Sequence, residues 1–488
     1  MPTTAIFLGL DVSRHGLGAV LLGGDGKCLV SLRRGYGADA DPDVPTDPQD
    51  WWRAARAATK DVLRKASIPA SQIRAVGISG DEGFVPIDRN GNALGDCVLG
   101  ADPSTAEALT ELAAKVGSRT LTNLTGAPAT TASGVVKLLT LRQREKRGWH
   151  DLHQVLPAKD WLRFRMTGTI GTDASDAVTT QLFNPRTRSW SKQLLTTLEL
   201  PGEFLPPIAP GNAIAGRVTD TAARESGLAA GTPVVVGASH GAAIAIAAGS
   251  CASGTAIIEL GGRGSLFITT TETLKDPSGS LTSTCHTIPG IGGLTGDVAG
   301  AQAVDWLLDT MLTSETAQAR RAGRDPLDLF AELAAEIHPC ADGLLCISNR
   351  EGRAALVGMD RHHHRGHVAR AALEGGALAC RRILAHHPGV KVVLTGPGAS
   401  STLWSQIFCD VLNVPVHVIP WAEPAAIGSA LLAASAVGVH KGLADSCSRI
   451  SKHHVSLHPR KSAADSYQLL APKADAAMAL FNPPVPET

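Results

Sequence analysis

Residues 156–168 read LPAKDWLRFRMTG, and residues 172–177 read TDASDA. Other distinctive segments lie on both sides of these two. They are DPQDWW at 47–52, LPGEFLPP at 200–207, GRVT at 216–219, GLAAGTPVV at 227–235 and LWSQIFCDVL at 403–412. Together they are spread over most of the 488 residues. A chain of this length is about three times a typical domain, so we expect two large domains, each with its own core.

The N-terminal half begins with three apolar runs in close succession that predict a three-stranded β-meander. The runs are Ile6–Leu10, Leu17–Leu22 and Cys28–Leu32,. An amphipathic helix is predicted from about Gln49 to Lys65, and Asp47-Pro48 marks its beginning,. A buried strand at Ile73–Ile78 then leads into the loop SGDEGF at 79–84.

The C-terminal half repeats this order of a hairpin followed by a strand and a glycine loop. Strands predicted at Thr255–Glu259 and Ser265–Thr269 flank GGRG at 261–264, and Val392–Thr395 leads into GPGA at 396–399. Such a repeat predicts a duplicated α/β domain with a cleft between the copies. We expect an N-terminal domain over residues 1–240, a C-terminal domain over 241–440 and an extension over 441–488.

The composition excludes several classes of protein. Lys and Arg number 45 and Asp and Glu number 45, so no net charge attracts nucleic acid or an anionic membrane,. The stretch 231–258 has no charged residue but is rich in Gly, Ala and Ser and contains Pro233 and His240, which favours a buried strand–helix–strand over a membrane span,. The nine cysteines show no metal or disulfide spacing, which predicts reduced thiols in a cytoplasmic protein,.

The quoted segments resemble those of a known family. The passage at 156–177 is similar to PAKDYLRYRLTG…TDYSDAS of the FGGY carbohydrate kinases, and the chain most resembles the xylulokinases among them. The resemblance implies an α/β fold of two actin-like (ribonuclease-H-like) domains with an interdomain cleft. It also implies phosphoryl transfer from ATP to a sugar hydroxyl, in which a carboxylate accepts the proton and Mg²⁺ bridges the phosphates. The expected partners are a small sugar and a nucleotide, and a homodimer is compatible with the sequence.

Three loops of the N-terminal half align with phosphate- and sugar-contacting motifs of that family. The first turn, Asp-Leu-Gly-Thr-Ser in the family, is here DVSRH at 11–15. Asp11 is the expected metal ligand, through water, or else a turn residue, while Ser13 is the expected nucleotide contact. The sugar-binding residues implied are Asp81 and Glu82, where the xylulokinases have Gln-Met, and Asp102, which is retained from Trp-Asn-Asp-x-Arg. The acidic pair could equally be solvated turn residues.

The decisive departure from the family lies at residues 237–243, GASHGAA, where the xylulokinases have Gly-Gly-Gly-Asp-Asn-Ala-Ala. His240 replaces the aspartate that serves as the catalytic base. A histidine there could accept a proton, since its usual pKa is close to physiological pH. The other interpretation is a buried, neutral histidine satisfied by the backbone.

The glycine turns of the C-terminal half resemble the family's phosphate and adenosine loops. The nucleotide-binding residues implied, in addition to Ser13, are Gly261, Gly262, Gly264, Gly300, Gly396, Gly398 and Ala399. Arg263 and Pro397 depart from the family pattern, and proline removes an N–H donor. We therefore expect a carbohydrate kinase homologue that phosphorylates a ketopentose or related sugar with reduced or lost activity. The alternative is an inactive pseudokinase that binds sugar or nucleotide as a regulatory protein.

Overall fold

The structure is a computed structural model that describes residues 5–14, 16–36, 47–97, 99, 101–261, 264–271, 276, 280–298, 301–348, 353–450 and 454–481. The strands β1 to β20 are, in order, Ile6–Ser13, Gly16–Gly23, Cys28–Arg34, Ile73–Gly80, Val85–Ile87, Gln154–Leu156, Phe183–Asn184, Ser189–Trp190, Ile214–Arg217, Pro233–Val235, Ala238–Ser239, Thr255–Glu259, Ser265–Thr270, Thr282–Cys285, Gly292–Asp297, Leu345–Ser348, Ala354–Val357, Lys391–Thr395, Val416–Ile419 and Val455–Leu457. The helices α1 to α18 are Pro48–Ala66, Ala106–Val116, Ser118–Thr125, Gly134–Arg144, Lys146–Asp151, Ala158–Thr167, Ala174–Ala177, Lys192–Thr197, Asp220–Ser226, His240–Ala247, Ala301–Met311, Thr313–Arg321, Pro326–Ala335, Arg365–Leu384, Thr402–Leu412, Pro424–Ala436, Leu443–Ile450 and Lys461–Phe481.

The first sheet has the strand order β3-β2-β1-β4-β10-β9, with β11 also paired to β4. The predicted meander is confirmed, since β1, β2 and β3 pair antiparallel. Strand β4 lies parallel to β1, so both end at the same edge of the sheet. Every residue of β1 and β2 is buried, which explains their continuous apolar sequence,. The predicted helix also forms, and α1 packs on β2 and β3.

The second sheet repeats the design with the order β14-β15-β13-β12-β18-β19-β20. Strands β12 and β13 form the antiparallel hairpin, and β12, β18 and β19 run parallel. The C-terminal segment contributes to this half, because β20 extends the sheet and Tyr467 of α18 lies in its core. The actin-like pair of α/β domains expected from the sequence is therefore the observed fold.

Two helices of small residues, α10 and α16, lie between the sheets. Both are packed into one apolar cluster that includes Phe7 and Val20 of the first sheet and Ile257 and Val393 of the second. The backbones approach closely: a Cβ on Gly428 would lie 1.8 Å from the carbonyl oxygen of Ala243. The uncharged stretch contains the predicted order of strand, helix and strand, with the additional short strand β11 before the helix. Within the described ranges, no helix is long and apolar enough to cross a membrane.

The expectation that all cysteines are reduced is wrong for one pair. Cys251, which follows α10, is joined to Cys447 of α17 by a disulfide, with the two Cα atoms 6.4 Å apart. The two cysteines are separated by 196 positions in the sequence, so no local spacing of cysteines could predict the bond,. The other seven cysteines are free thiols.

Candidate active site

The polar residues of the site gather where strands of the first sheet end. Asp11 is paired across the sheet with Ser79, because β1 and β4 are parallel neighbours. Ser239 is paired with Gly80, so the chain that follows, beginning with His240, lies at the same edge. Ser239 caps α10, and its side chain accepts a hydrogen bond from the N–H of Ala242. His240 is therefore fixed at the first turn of a buried helix.

His240 is surrounded by carboxylates from both halves of the chain. Its Nδ1 lies 3.1 Å from each carboxylate oxygen of Asp11 and 3.8 Å from Oδ1 of Asp81. Its Nε2 lies 3.7 Å from Oε2 of Glu259, at the end of β12. Asp11 is buried and also accepts a hydrogen bond of 2.7 Å from the hydroxyl of Ser79. His240 therefore bridges the two domains by ionic contacts.

These contacts determine the charge of the imidazole. Burial lowers the pKa of His240, but the charges of Asp11 and Asp81 and the contacts with Asp11 and Glu259 outweigh it, so the pKa lies well above its usual value,. Burial raises the pKa of Asp11, yet His240 and Ser79 hold it below its usual value. These contacts favour the protonated imidazole at neutral pH. The partners of His240 are carboxylates and not the backbone groups that the other interpretation expected.

A second ion pair lies beside Ser13 and was not found from the sequence. The guanidinium of Arg33 on β3 donates to both carboxylate oxygens of Glu423, at 2.9 and 2.8 Å, and to the hydroxyl of Ser13 at 2.9 Å. Glu423 is buried immediately before α16. Ser13 in turn donates its hydroxyl to the carbonyl of Gly16. The sequence signals were a cation on a meander strand and an acid before Pro424, both of which are common in proteins.

The acids that the sequence assigned to sugar binding lie in unequal settings. Asp81 accepts a 2.9 Å hydrogen bond from the backbone N–H of Arg14. The side chain of Glu82 is exposed, yet it has many protein atoms around it. Their desolvating effect and the charges of Asp81 and Asp297 raise its pKa to about 7 against the opposing effects of Lys137 and Arg14.

Asp102 is half-buried and has a local structural role. Its side chain accepts from the N–H of Ser104, at 3.0 Å, and so caps the short helical turn Pro103–Thr105. Its charge also acts on the buried Lys137, as does that of Glu82. Asp102 therefore lies on the same side of the molecule as the acidic loop at 79–84, but its side chain serves to cap a helical turn.

The glycine loops of the second half pack against each other at the ends of β12 and β18. The N–H of Gly398 donates to the carbonyl of Leu260 at 2.8 Å, and a Cβ on Gly398 would lie 2.6 Å from the ring of Trp404. Gly261 has a φ of +119°, and a Cβ there would lie 2.9 Å from Pro397. Three further N–H groups are used within the loops: Gly264 donates to Gly261, Ala399 donates to Gly396, and Ser401 donates to Gly398. Packing between the loops therefore explains these glycines, while Gly262 and Gly300 lie outside the described residues.

Comparison with known proteins identifies the family of this chain. The family model for the N-terminal domain of FGGY carbohydrate kinases matches residues 6–247, and the model for the C-terminal domain matches residues 260–437. The chain belongs to the FGGY family of carbohydrate kinases. It is 28% identical over 455 residues to the xylulose kinase of Escherichia coli K12, which covers 90% of this chain and 91% of that protein.

Other FGGY relatives agree with this assignment. The chain is 28% identical over 468 residues to the autoinducer-2 kinase of Salmonella typhimurium LT2, covering 90% of this chain and 87% of the relative. The crystal structure of xylulose kinase from Rhodospirillum rubrum superposes with a TM-score of 0.83 at 25% identity, covering 98% of this chain and 99% of that one. These relatives support a carbohydrate kinase function and small-molecule sugar and nucleotide substrates.

The passage that most resembles the FGGY family forms a buried ionic network under the site. The ammonium of Lys159 on α6 lies 2.8 Å from Asp160, 3.3 Å from Asp173 and 3.1 Å from Asp176, and all four side chains are buried. Arg163 adds an ion pair to Asp160 and donates to the carbonyl of Val236, just before the His240 loop. Burial and the neighbouring acids raise the pKa of Asp176 to about 8 despite Lys159. The network holds the loops of the site in place.

The arrangement at Asp11 does not fit the magnesium ion that the FGGY family implies. Both carboxylate oxygens of Asp11 face the His240 imidazolium, and Oδ1 also accepts from Ser79. A divalent cation at this carboxylate would be repelled by the imidazolium. In the parts of the chain that the structure describes, no group of three or more His, Cys, Asp or Glu is arranged to hold a metal ion.

Proposed function

We propose that this chain is a carbohydrate kinase homologue for a ketopentose of the xylulose type or a related sugar, with ATP-dependent phosphoryl transfer that is strongly reduced or lost. One observation carries the proposal. A histidine paired with Asp11 lies, by the resemblance of residues 237–243, at the position of the xylulokinases' catalytic carboxylate. A protonated imidazole has no lone pair available for a proton, so it cannot serve as general base until it loses its own.

The neighbouring carboxylates do not replace the missing base easily. Asp11 is buried beneath His240, and its two oxygens are already engaged. Asp81 accepts from the Arg14 N–H and faces the imidazolium at 3.8 Å, so part of its capacity is used. General-base catalysis contributes roughly 10² to 10⁴ in rate. Phosphoryl transfer also depends on Mg²⁺ to neutralise charge, and Asp11 does not fit that ion.

The same pairing supports the alternative of a binding protein without turnover. His240 and Arg33 form ion pairs with carboxylates of the chain itself, so the cleft is organised without a substrate. A regulatory protein that binds sugar or nucleotide needs such an organised cleft but no base. Binding of sugar or nucleotide that occurs without phosphoryl transfer would distinguish this function from that of a kinase.

The test is transfer of phosphate from ATP to xylulose, measured as ADP formation with magnesium present. We expect wild-type turnover at least about 100-fold below the roughly 1–100 s⁻¹ typical of kinases. His240→Asp alone should not restore it, because the new carboxylate would lie among Asp11, Asp81 and Glu259 without a cation. We also expect no submicromolar dissociation constant for Mg-ATP.

Ordinary wild-type turnover would contradict the proposal, and the pH profile then assigns the base. If His240 is the base, turnover should increase at alkaline pH, as the imidazolium loses its proton, and His240→Ala should abolish it while the protein remains folded. If His240→Ala retains full activity, the base is one of the acids of the 79–84 loop, with Asp81 and Glu82 as the first variants to test.

A further inference from the structure

Arg33 and Asp11 lie on one face of the meander, on either side of a glycine. In the register of the sheet, Asp11 is opposite Gly18 and Gly18 is opposite Arg33, so the three residues form one row. Directly opposed residues of neighbouring strands point to the same face. Because Gly18 has no side chain, a gap is left between the carboxylate of Asp11 and the guanidinium of Arg33.

The gap is filled by a carboxylate from the other end of the chain. A Cβ on Gly18 would lie 2.3 Å from Oε2 of Glu423 and 3.6 Å from Cβ of Asp11. Arg33 holds Glu423 by two parallel hydrogen bonds, which is the geometry by which arginine also binds phosphate,. Ser13, which receives the third Arg33 contact, belongs to the turn aligned with the family's phosphate loop.

We propose that Arg33 and Ser13 form a phosphate-binding site in which Glu423 takes the place of the phosphate until a ligand displaces it. The inference rests on the proposed binding of nucleotide and sugar, since either an ATP or ADP phosphate or the phosphate of a sugar product could occupy the site. Ser13 was the expected nucleotide contact, whereas Arg33 and Glu423 were assigned no role from the sequence. Arg33 keeps 35% of its side chain exposed, so an incoming anion can reach it.

The electrostatics of the pair make Glu423 a replaceable partner. Burial raises the pKa of Glu423, and although Arg33 lowers it, the net shift is upward, with Asp11 contributing. The environment of Glu423 therefore disfavours the charged form of its carboxylate. Arg33, in contrast, is stabilised as a cation by Glu423, Asp11 and Glu259 against the effect of burial. A phosphate that carries more charge than one carboxylate would gain from the same cation.

The experiment compares the binding of ADP and adenosine to the full-length protein by calorimetry, without magnesium. Arg33→Gln should weaken ADP binding about 10-fold or more, the loss expected for charge-assisted hydrogen bonds, and leave adenosine within twofold. Glu423→Gln keeps the size of the side chain, removes the competing charge and should strengthen ADP binding several-fold. Arg34→Gln is the matched control, because Arg34 is the next residue on the strand and pairs with Asp61 on the surface. Arg34→Gln should leave the affinities for ADP and adenosine unchanged.

The source of the phosphate is decided by a second pair of ligands, xylulose and xylulose 5-phosphate. The same pattern in that pair assigns the site to the sugar phosphate. The proposal is overturned if wild type binds each phosphorylated ligand no better than its parent, or if Arg33→Gln leaves the ratios unchanged. It is also overturned if Glu423→Gln weakens binding as much as Arg33→Gln, since both residues would then only stabilise the folded structure. These equilibrium ratios are independent of turnover, so they can fail while the proposed loss of catalysis holds.

Discussion

Replacing His240 by alanine removes the cation that accompanies a buried carboxylate. Asp11 is 1% exposed, and both of its oxygens lie 3.1 Å from His240 Nδ1. Removing one partner of a buried ion pair typically costs about 3–5 kcal/mol. His240 is 21% exposed and Ser79 still donates to Asp11 in the variant, so we expect a smaller loss of about 2–3 kcal/mol in the free energy of unfolding at pH 7,.

The loss should depend on pH in a bell-shaped manner. The pKa of Asp11 is lowered in the folded protein, so its contribution is present above the unfolded carboxyl pKa of about 4 and disappears as pH falls through the folded value,. The pKa of His240 is raised, so its contribution is complete below the unfolded value of about 6.5 and disappears as pH rises through the folded value,. The difference between wild type and His240→Ala should therefore be largest between about pH 4 and 6.5 and should decrease on either side of that range.

The assay is thermal unfolding followed by tryptophan fluorescence across a range of pH. For a domain of about 240 residues the expected loss corresponds to a decrease in Tm of about 5–10 °C near pH 7. Asp342→Asn is the control, because His367 and Asp342 also lie 3.1 Å apart but Asp342 is largely exposed. Exposed pairs contribute about 0–1 kcal/mol. A His240→Ala effect that is the same at every pH, or no larger than that of the control, would refute the reasoning.

Two further outcomes follow from buried features. Lys159→Met should prevent stable folding or cost at least about 3–5 kcal/mol, because three buried carboxylates lose their shared cation; a soluble variant with the wild-type Tm would contradict the network's role,. Cys251→Ser should lower the Tm of oxidised protein, since a disulfide typically contributes about 2–4 kcal/mol,. A reductant should lower the wild-type Tm to that of the variant and leave the variant unchanged; equal melting of both proteins without reductant would show that Cys251 and Cys447 are not joined.

Much of the fold could be predicted because its signals are local. The apolar runs of the meander, the start of α1 at Pro48 and the strand before the acidic loop are patterns of neighbouring residues, and α1 and the strands lie within two or three residues of the expected ends. The duplicated hairpin and glycine loop also follow from short segments. Their order along the chain was sufficient to identify the family and its two actin-like domains.

The site was predicted in composition but not in its charge. Asp11, Asp81 and His240 were each assigned to the site from the family motifs, and the parallel pairing of β1 and β11 with β4 places them at one edge. The sequence left His240 as either a base or a neutral core residue. Glu259 and Arg33 were given no role, since a single acid or cation at the end of a strand is unremarkable until its neighbours are known.

What the sequence determines by itself differs from what only the tertiary structure decides, because the interactions involved act over different ranges along the chain. Backbone conformation depends on residues within a few positions, so strands, helices and turns can be read along the chain. The protonation state of His240 depends on charges within a few ångströms in space, and these come from positions as distant as 11, 81 and 259,. The disulfide of Cys251 and the Arg33–Glu423 pair likewise join residues 196 and 390 positions apart. Such residues come into contact through the pairing of distant strands and the packing of α10 and α16 between the sheets.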